Sequence, residues 1–214
     1  MYVPAHFAVE QDAVVALLTN LGAADLVTIT DEGMDATFLP LLFDPARGQH
    51  GALLGHLARN NDQWWRPAIG DALVIAHGVD GYISPSYYAS KAEHGRVVPT
   101  WNHLTVHVHG TLVVHDDPEW VGSLVRRLTE KHEAGRERPW AVSDAPPDYI
   151  AGQLRAIVGV EVLIKRIEAK AKYSQNRSAA DVDGVVGGLA RDGFGEHAAA
   201  VRQAWADRAG ADEG

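Results

Sequence analysis

HLTVHVHGTLVV, residues 103–114, alternates polar and apolar residues with a period of two. A β-strand does this when one face is buried and the other is not. Several short segments fit beside it as antiparallel partners. Residues 25–30 (DLVTIT) are rich in β-branched side chains and close on the turn Asp31-Glu32-Gly33. Residues 35–42 contain Pro40, which marks an edge or a bend. Further strands are predicted at 52–56, at 72–77, at 82–84 after a turn over Gly78–Gly81, and at 158–168. Helical spacing is found at 9–21, with Asp12 to cap it and Gly22 to end it, and at 57–65. A third helix, 119–134, follows Asp116-Asp117-Pro118, and a fourth, 149–156, follows Ala145-Pro146-Pro147. Residues 85–99 read as irregular. Helical patches at 185–190 and 197–206 precede an end expected to fray after Arg208.

About six strands at hairpin spacing, without regular strand–helix alternation, argue against a doubly wound parallel sheet. The expectation is an α+β fold: a small closed or half-closed antiparallel β-barrel with flanking helices. A barrel domain over 1–177 and a helical C-terminal appendage over 178–214 follow from the change of composition after residue 177.

The chain has 214 residues and no cysteine, which removes disulfides, thiolate metal sites and a cysteine nucleophile together. Its net charge of -9 argues against broad electrostatic adhesion to DNA. The start, MYVPAHFAVEQD, lacks the basic-then-apolar pattern of a signal peptide, and no apolar run reaches membrane-spanning length. A cytoplasmic location is the resulting expectation.

Four clusters carry candidate chemistry. His56 and Arg59, in GHLARNN, sit where a strand is predicted to give way to a helix, and Arg59 offers a fork suited to phosphate or carboxylate. Ser84, Tyr87 and Lys91, in YISPSYYASK, combine hydroxyls, rings and a cation, a set suited to a flat ligand with a charged tail. Thr100, Trp101 and His103 lead into the alternating strand, whose open face carries His103, Thr105, His107 and His109. Same-face neighbours lie about 7 Å apart, so a three-histidine zinc site is weakly supported and a solvated strand face is the ordinary alternative. The last cluster, Lys170, Lys172, Ser174, Gln175 and Arg177, is the most basic segment of an acidic chain and suits a phosphate or a pair of carboxylates. The ordinary reading of such a run is a solvated basic loop. No dinucleotide fingerprint, Walker loop, H-E-x-x-H or G-x-S-x-G motif is present, and no convincing helix-turn-helix.

The stretches MYVPAHF, GHLARNNDQW, YISPSYY, KAEHGRVVPTWNHLTVHVHG, LRAIVGVE and KAKYSQNR together resemble the PaiB-like family, often labelled FMN-binding negative transcriptional regulators. That resemblance implies a split β-barrel and a homodimer with FMN at the subunit interface. The chain is also similar over these motifs to haem-dependent piperazate synthase, which makes an N–N bond from N5-hydroxyornithine. Haem b is therefore the alternative cofactor, with His56 as the iron ligand and His107 in reserve. On the flavin reading, Arg59, Lys91 and the 170–177 segment take the phosphate, and the ring stacks near Trp101 and Tyr87. Tyr87, His103 and Lys172 are the candidate catalytic residues for a small-molecule substrate. A non-enzymatic repressor is a further reading, though direct DNA contact is disfavoured. Four positions depart from the family pattern: Ala171 replaces an aromatic, Tyr173 a leucine, Tyr87 a tryptophan and His103 an aromatic. Lining a pocket, they would favour a larger cofactor or a bound substrate.

Overall fold

The computed structural model describes residues 1–211, with side chains through Arg208. The fraying expected after Arg208 falls mostly outside that description. Seven antiparallel strands form one sheet in the order β2-β1-β5-β6-β7-β4-β3. They are β1 (Ala23–Thr30), β2 (Gly33–Pro40), β3 (Leu42–Asp44), β4 (Ala52–Ala58), β5 (Ala72–Ile83), β6 (Thr100–His115) and β7 (Ile157–Lys172). The helices are α1 (Gln11–Thr19), α2 (Ser90–His94), α3 (Pro118–Glu133), α4 (Pro147–Arg155), α5 (Ala179–Arg191) and α6 (Gly195–Ala211). The expected α+β class is the one found.

The chain separates into two compact units. One comprises 1–11, 77–106 and 168–214; the other comprises 12–76 and 107–167. In the first unit, α5 and α6 bury Val182, Val185, Leu189 and Val201 with Ile83, Tyr88 and Tyr173. Gly184 and Gly188 allow this approach, because an added Cβ would lie 2.1 Å from the Tyr87 carbonyl oxygen and 2.2 Å from the Tyr87 ring. In the second unit, Leu124 and Leu128 of α3 pack on Ala52 and Leu54 of β4. Asp117 caps α3 by accepting from the backbone of Glu119 and Trp120, and Pro118 fills its first turn.

Three expectations need correction. Residues 57–65 are not a helix. β4 runs on to Ala58, which pairs with Ile157, and only Asp62–Trp64 make a 3-10 turn, capped by Asn61. Residues 78–81 are not a turn, for β5 passes straight through. Gly78 is there for close approach, since its Cβ would lie 2.6 Å from the Leu104 side chain, and Gly81 likewise faces the His197 ring. The supposed irregular stretch 85–99 contains a 3-10 turn at Pro85–Tyr87 and α2.

Much of the GHLARNNDQW motif is architectural. The buried Gln63 amide donates to the Leu26 carbonyl at 3.0 Å, the Thr28 hydroxyl at 3.1 Å and the Asp35 carbonyl at 3.3 Å, tying the turn to β1 and β2. Asn61 reaches Thr37 at 2.9 Å. Gln63→Ala should therefore lower unfolding free energy by about 1–3 kcal/mol, because buried acceptors lose their donor. Urea denaturation measures this; an unchanged midpoint would show the amide to be dispensable.

Candidate functional site

In the first unit the adjacent ends of β6 and β7 gather a basic, polar group. Lys172 Nζ donates to the Thr100 hydroxyl. Asn102 is fully buried, and its amide donates to Ser174 Oγ at 3.3 Å. Burial holds the Lys172 ammonium below the usual lysine range, and the charges of Lys170 and Arg177 push the same way. The His103 imidazole is likewise lowered, first by burial and then by Lys170 and Lys172. Lys170 and Arg177 thus press on Lys172, and Lys170 and Lys172 on His103. A bound anion would relieve that repulsion, so the donor set fits a phosphate or carboxylate tail. Arg177 also stacks over the buried Tyr88 ring, 4.7 Å from its centroid.

Backbone shape fixes the end of this cluster. Ser174 adopts φ 67°, the left-handed region, and the Arg177 N–H returns to its carbonyl at 3.0 Å. Gln175 is buried and holds the turn from both sides: its Oε1 accepts from Tyr173 N at 2.7 Å, and its Nε2 donates to the Ala171 carbonyl at 2.7 Å. The segment is therefore a strand end plus an ordered turn, not a solvated loop.

The other candidates of this unit are engaged locally. The Tyr87 hydroxyl donates to Asp192, which raises its pKa. Ser84 Oγ accepts from Ser86 N at 3.1 Å, and Lys91 Nζ donates to Ser86 Oγ at 3.0 Å. Trp101 is half exposed, with its indole N–H held by Asp80 at 2.9 Å. Tyr173 is a core residue. Its hydroxyl donates to the Val79 carbonyl at 2.7 Å, and burial pushes its pKa up to about 12. The polar capacity expected from that substitution is therefore spent inside the protein.

In the second unit, Arg59 does not present a free fork. It makes a bidentate pair with Asp116 at 2.5 and 3.1 Å and also donates to the carbonyls of Arg155 and Ile157. The fork expected to suit phosphate is thus engaged by Asp116. His107 lies with its ring centroid 6.5 Å from that of His109. His56 is different: its ring lines a cavity of about 310 Å³ with Pro40, Val125, Leu128 and Trp140. Its buried Nδ1 has no hydrogen-bond partner among the described residues, and burial lowers its pKa. A neutral imidazole lining a mainly apolar cavity, which His132 and Glu133 also line, has the chemistry of an iron ligand.

Sequence reasoning missed a buried triad in the same unit. Glu161 is 2% exposed; it binds Arg47 at 2.5 and 3.1 Å and His115 at 2.8 Å, while His115 stacks on Trp120 at 4.0 Å. The available signal was a single glutamate inside the apolar run VGVEVLI.

The model of the family described as "Putative FMN-binding domain" matches residues 1–166. The chain is 32% identical over 188 residues to the protease synthase and sporulation protein PAI 2 of Bacillus subtilis, covering 87% of each protein. A yeast protein, YKL070W of Saccharomyces cerevisiae, is 36% identical over 109 residues, which are 50% of this chain and 64% of the relative. The chain belongs to this PaiB-like, FMN-binding domain family. Solved structures place the fold among the split barrels. The flavocytochrome Anf3 of Azotobacter vinelandii aligns with a TM-score of 0.53 at 14% identity, over 76% of this chain and 67% of that one. The FAD and haem binding protein of Mycobacterium smegmatis aligns with a TM-score of 0.51 at 16% identity, over 76% and 71%.

The lowered pKa of His56 has a consequence for stability. An unfolded histidine titrates near 6.5, so below that pH the unfolded chain takes up a proton that the native imidazole resists. Native stability should thus fall as pH drops from about 6.5 toward the depressed folded value. His103 and His197 are shifted in the same direction, so His56→Gln should reduce this acid loss without abolishing it. Denaturant titrations from pH 7.5 to 5 measure it; an identical pH slope in the variant would show that His56 is not protected.

Proposed function

We propose that this protein binds FMN through its phosphate at the basic ends of β6 and β7 and serves as a flavin-dependent oxidoreductase or a flavin-linked regulator. One observation carries the reading: Lys172 sits beside Thr100 with burial and the charges of Lys170 and Arg177 holding its ammonium low, while burial, Lys170 and Lys172 lower His103. The family's FMN-binding description points the same way. Lys170, Lys172 and Arg177 would take the anionic tail, with Thr100 and Ser174 as hydroxyl partners and the exposed Trp101 ring beside the flavin. The flavin supplies hydride and electron transfer when bound, while the protein orients it and tunes its electronics. His103, whose pKa is lowered first by burial and then by Lys170 and Lys172, can accept a proton from a substrate held there. Work as a cytoplasmic homodimer, with a small-molecule substrate, completes the proposal. Among the described residues no helix is long and apolar enough to cross a membrane.

The test is FMN titration followed by flavin fluorescence. Lys172→Met removes a charge-assisted contact worth about 1.5–3 kcal/mol, roughly a 10–100-fold rise in Kd. Riboflavin, lacking the phosphate, should be far less sensitive to the substitution. Equal effects on both flavins, or no uptake of FMN at all, would overturn the reading.

A second reading rests on His56. Two structural neighbours are a flavocytochrome and a protein that binds FAD and haem, and the His56 imidazole, kept neutral by burial beside a mainly apolar cavity, suits a haem ligand. An enzyme forming N–N bonds, of the piperazate synthase type, would use this site. Reconstituted with haem, the protein should show a Soret band that His56→Ala shifts or removes. A band unchanged in both His56→Ala and His107→Ala would eliminate these ligands.

A further inference from the structure

The C-terminal turn of α3 and the loop that follows it form a second cavity, of about 440 Å³, in the same unit as the His56 cavity. The two share Thr129, Glu133 and Trp140 as lining, so they adjoin along one wall. Their characters differ. The His56 side is mostly apolar, with Pro40, Val125 and Leu128. The α3 side carries two carboxylates, Glu130 and Glu133, and the Trp140 ring, which is 45% exposed.

Three features of the α3 side favour positive charge: the helix end, Glu130 and the Trp140 ring. The C-terminal end of a helix carries partial negative charge. Glu133 is committed: it accepts from the Trp140 backbone N–H at 3.0 Å and pairs with Arg136 at 3.1 Å, so it positions the loop. Glu130 makes no side-chain hydrogen bond or ion pair among the described residues. A half-exposed tryptophan face beside a carboxylate is the arrangement that recognises organic ammonium groups. Arg126 also lines the cavity, one turn earlier on α3, and Arg136 pairs with Glu133, so the side carries no net charge and selection for an ammonium rests on the placement of Glu130 beside Trp140.

We propose that the joined cavities bind an amphipathic organic amine, with its ammonium between Glu130 and Trp140 and its hydrocarbon stem against Val125 and Leu128. No bond is made or broken, and the site rests on the flavin reading, because haem held by His56 would take the space beside Val125 and Leu128. The combined volume lies within the range of small-molecule sites.

Calorimetric titration of the full chain with hexylammonium, hexanol and hexanoate tests this. Hexylammonium should bind saturably and at least about tenfold more tightly than hexanol, with hexanoate weaker still. Glu130→Gln and Trp140→Leu should each raise the hexylammonium Kd several-fold, while Glu119→Gln at the opposite end of α3 should leave it unchanged. Glu130 is exposed, so its variant keeps the fold, and thermal unfolding verifies that for both. Equal binding of all three probes, tighter binding of hexanoate, no binding of any, or a Kd indifferent to both substitutions would overturn the proposal. FMN affinity should be unaffected by Glu130→Gln, so failure here is distinguishable from failure of the flavin reading.

Discussion

The close passage of β6 against β7 is the constraint on which the rest depends. At Gly110 an added Cβ would sit 2.2 Å from the Leu163 carbonyl oxygen, so only glycine lets the two backbones approach. At Gly159 the space is taken by the Trp120 ring, which lies 2.2 Å from where a Cβ would be and stacks in turn on His115. Neither strand can shift register without losing these fits, because a one-residue slip exchanges the buried and open faces. Fixed in this way, the same two strands end with Thr100 beside Lys172. The chemistry at their ends is thus set by packing far along them.

That arrangement places charge where it is costly. Lys172 is partly desolvated and faces like charges, while Arg47, by contrast, is neutralised by a buried glutamate. Several cations of the scaffold have carboxylate partners, as Arg59 has Asp116 and Arg127 has Asp44, while Lys131 is held by the Leu21 carbonyl. The lysine at the end of β7 has a hydroxyl instead. What marks the candidate binding surface is that Lys172 faces like charges, whereas Lys131 is shifted by burial alone.

Much of the fold was legible because β6 alternates so cleanly. Asn102, Val106, Val108 and Gly110 are buried while His103, Thr105, His107 and His109 are half-buried, as a two-residue period requires. What stayed hidden depended on distant partners. Gly78 and Gly81 look like a turn until Leu104 and His197 are seen to press on them. Arg59 looks like an anion ligand until Asp116, 57 positions away, takes its fork. Tyr173 looks like a pocket residue until its hydroxyl is found on Val79. Ser174 was singled out for its hydroxyl, yet its left-handed backbone, which shapes the turn, carries no signal in a serine codon of the motif SQNR.

The most direct measurement is the phosphorus NMR signal of FMN added to the protein. If the basic strand ends hold the phosphate, the resonance shifts and broadens on binding and returns to its free position with Lys172→Met. Flavin bound with its phosphorus signal unmoved would mean that the cofactor's tail lies elsewhere, and the function assigned to this cluster would be contradicted.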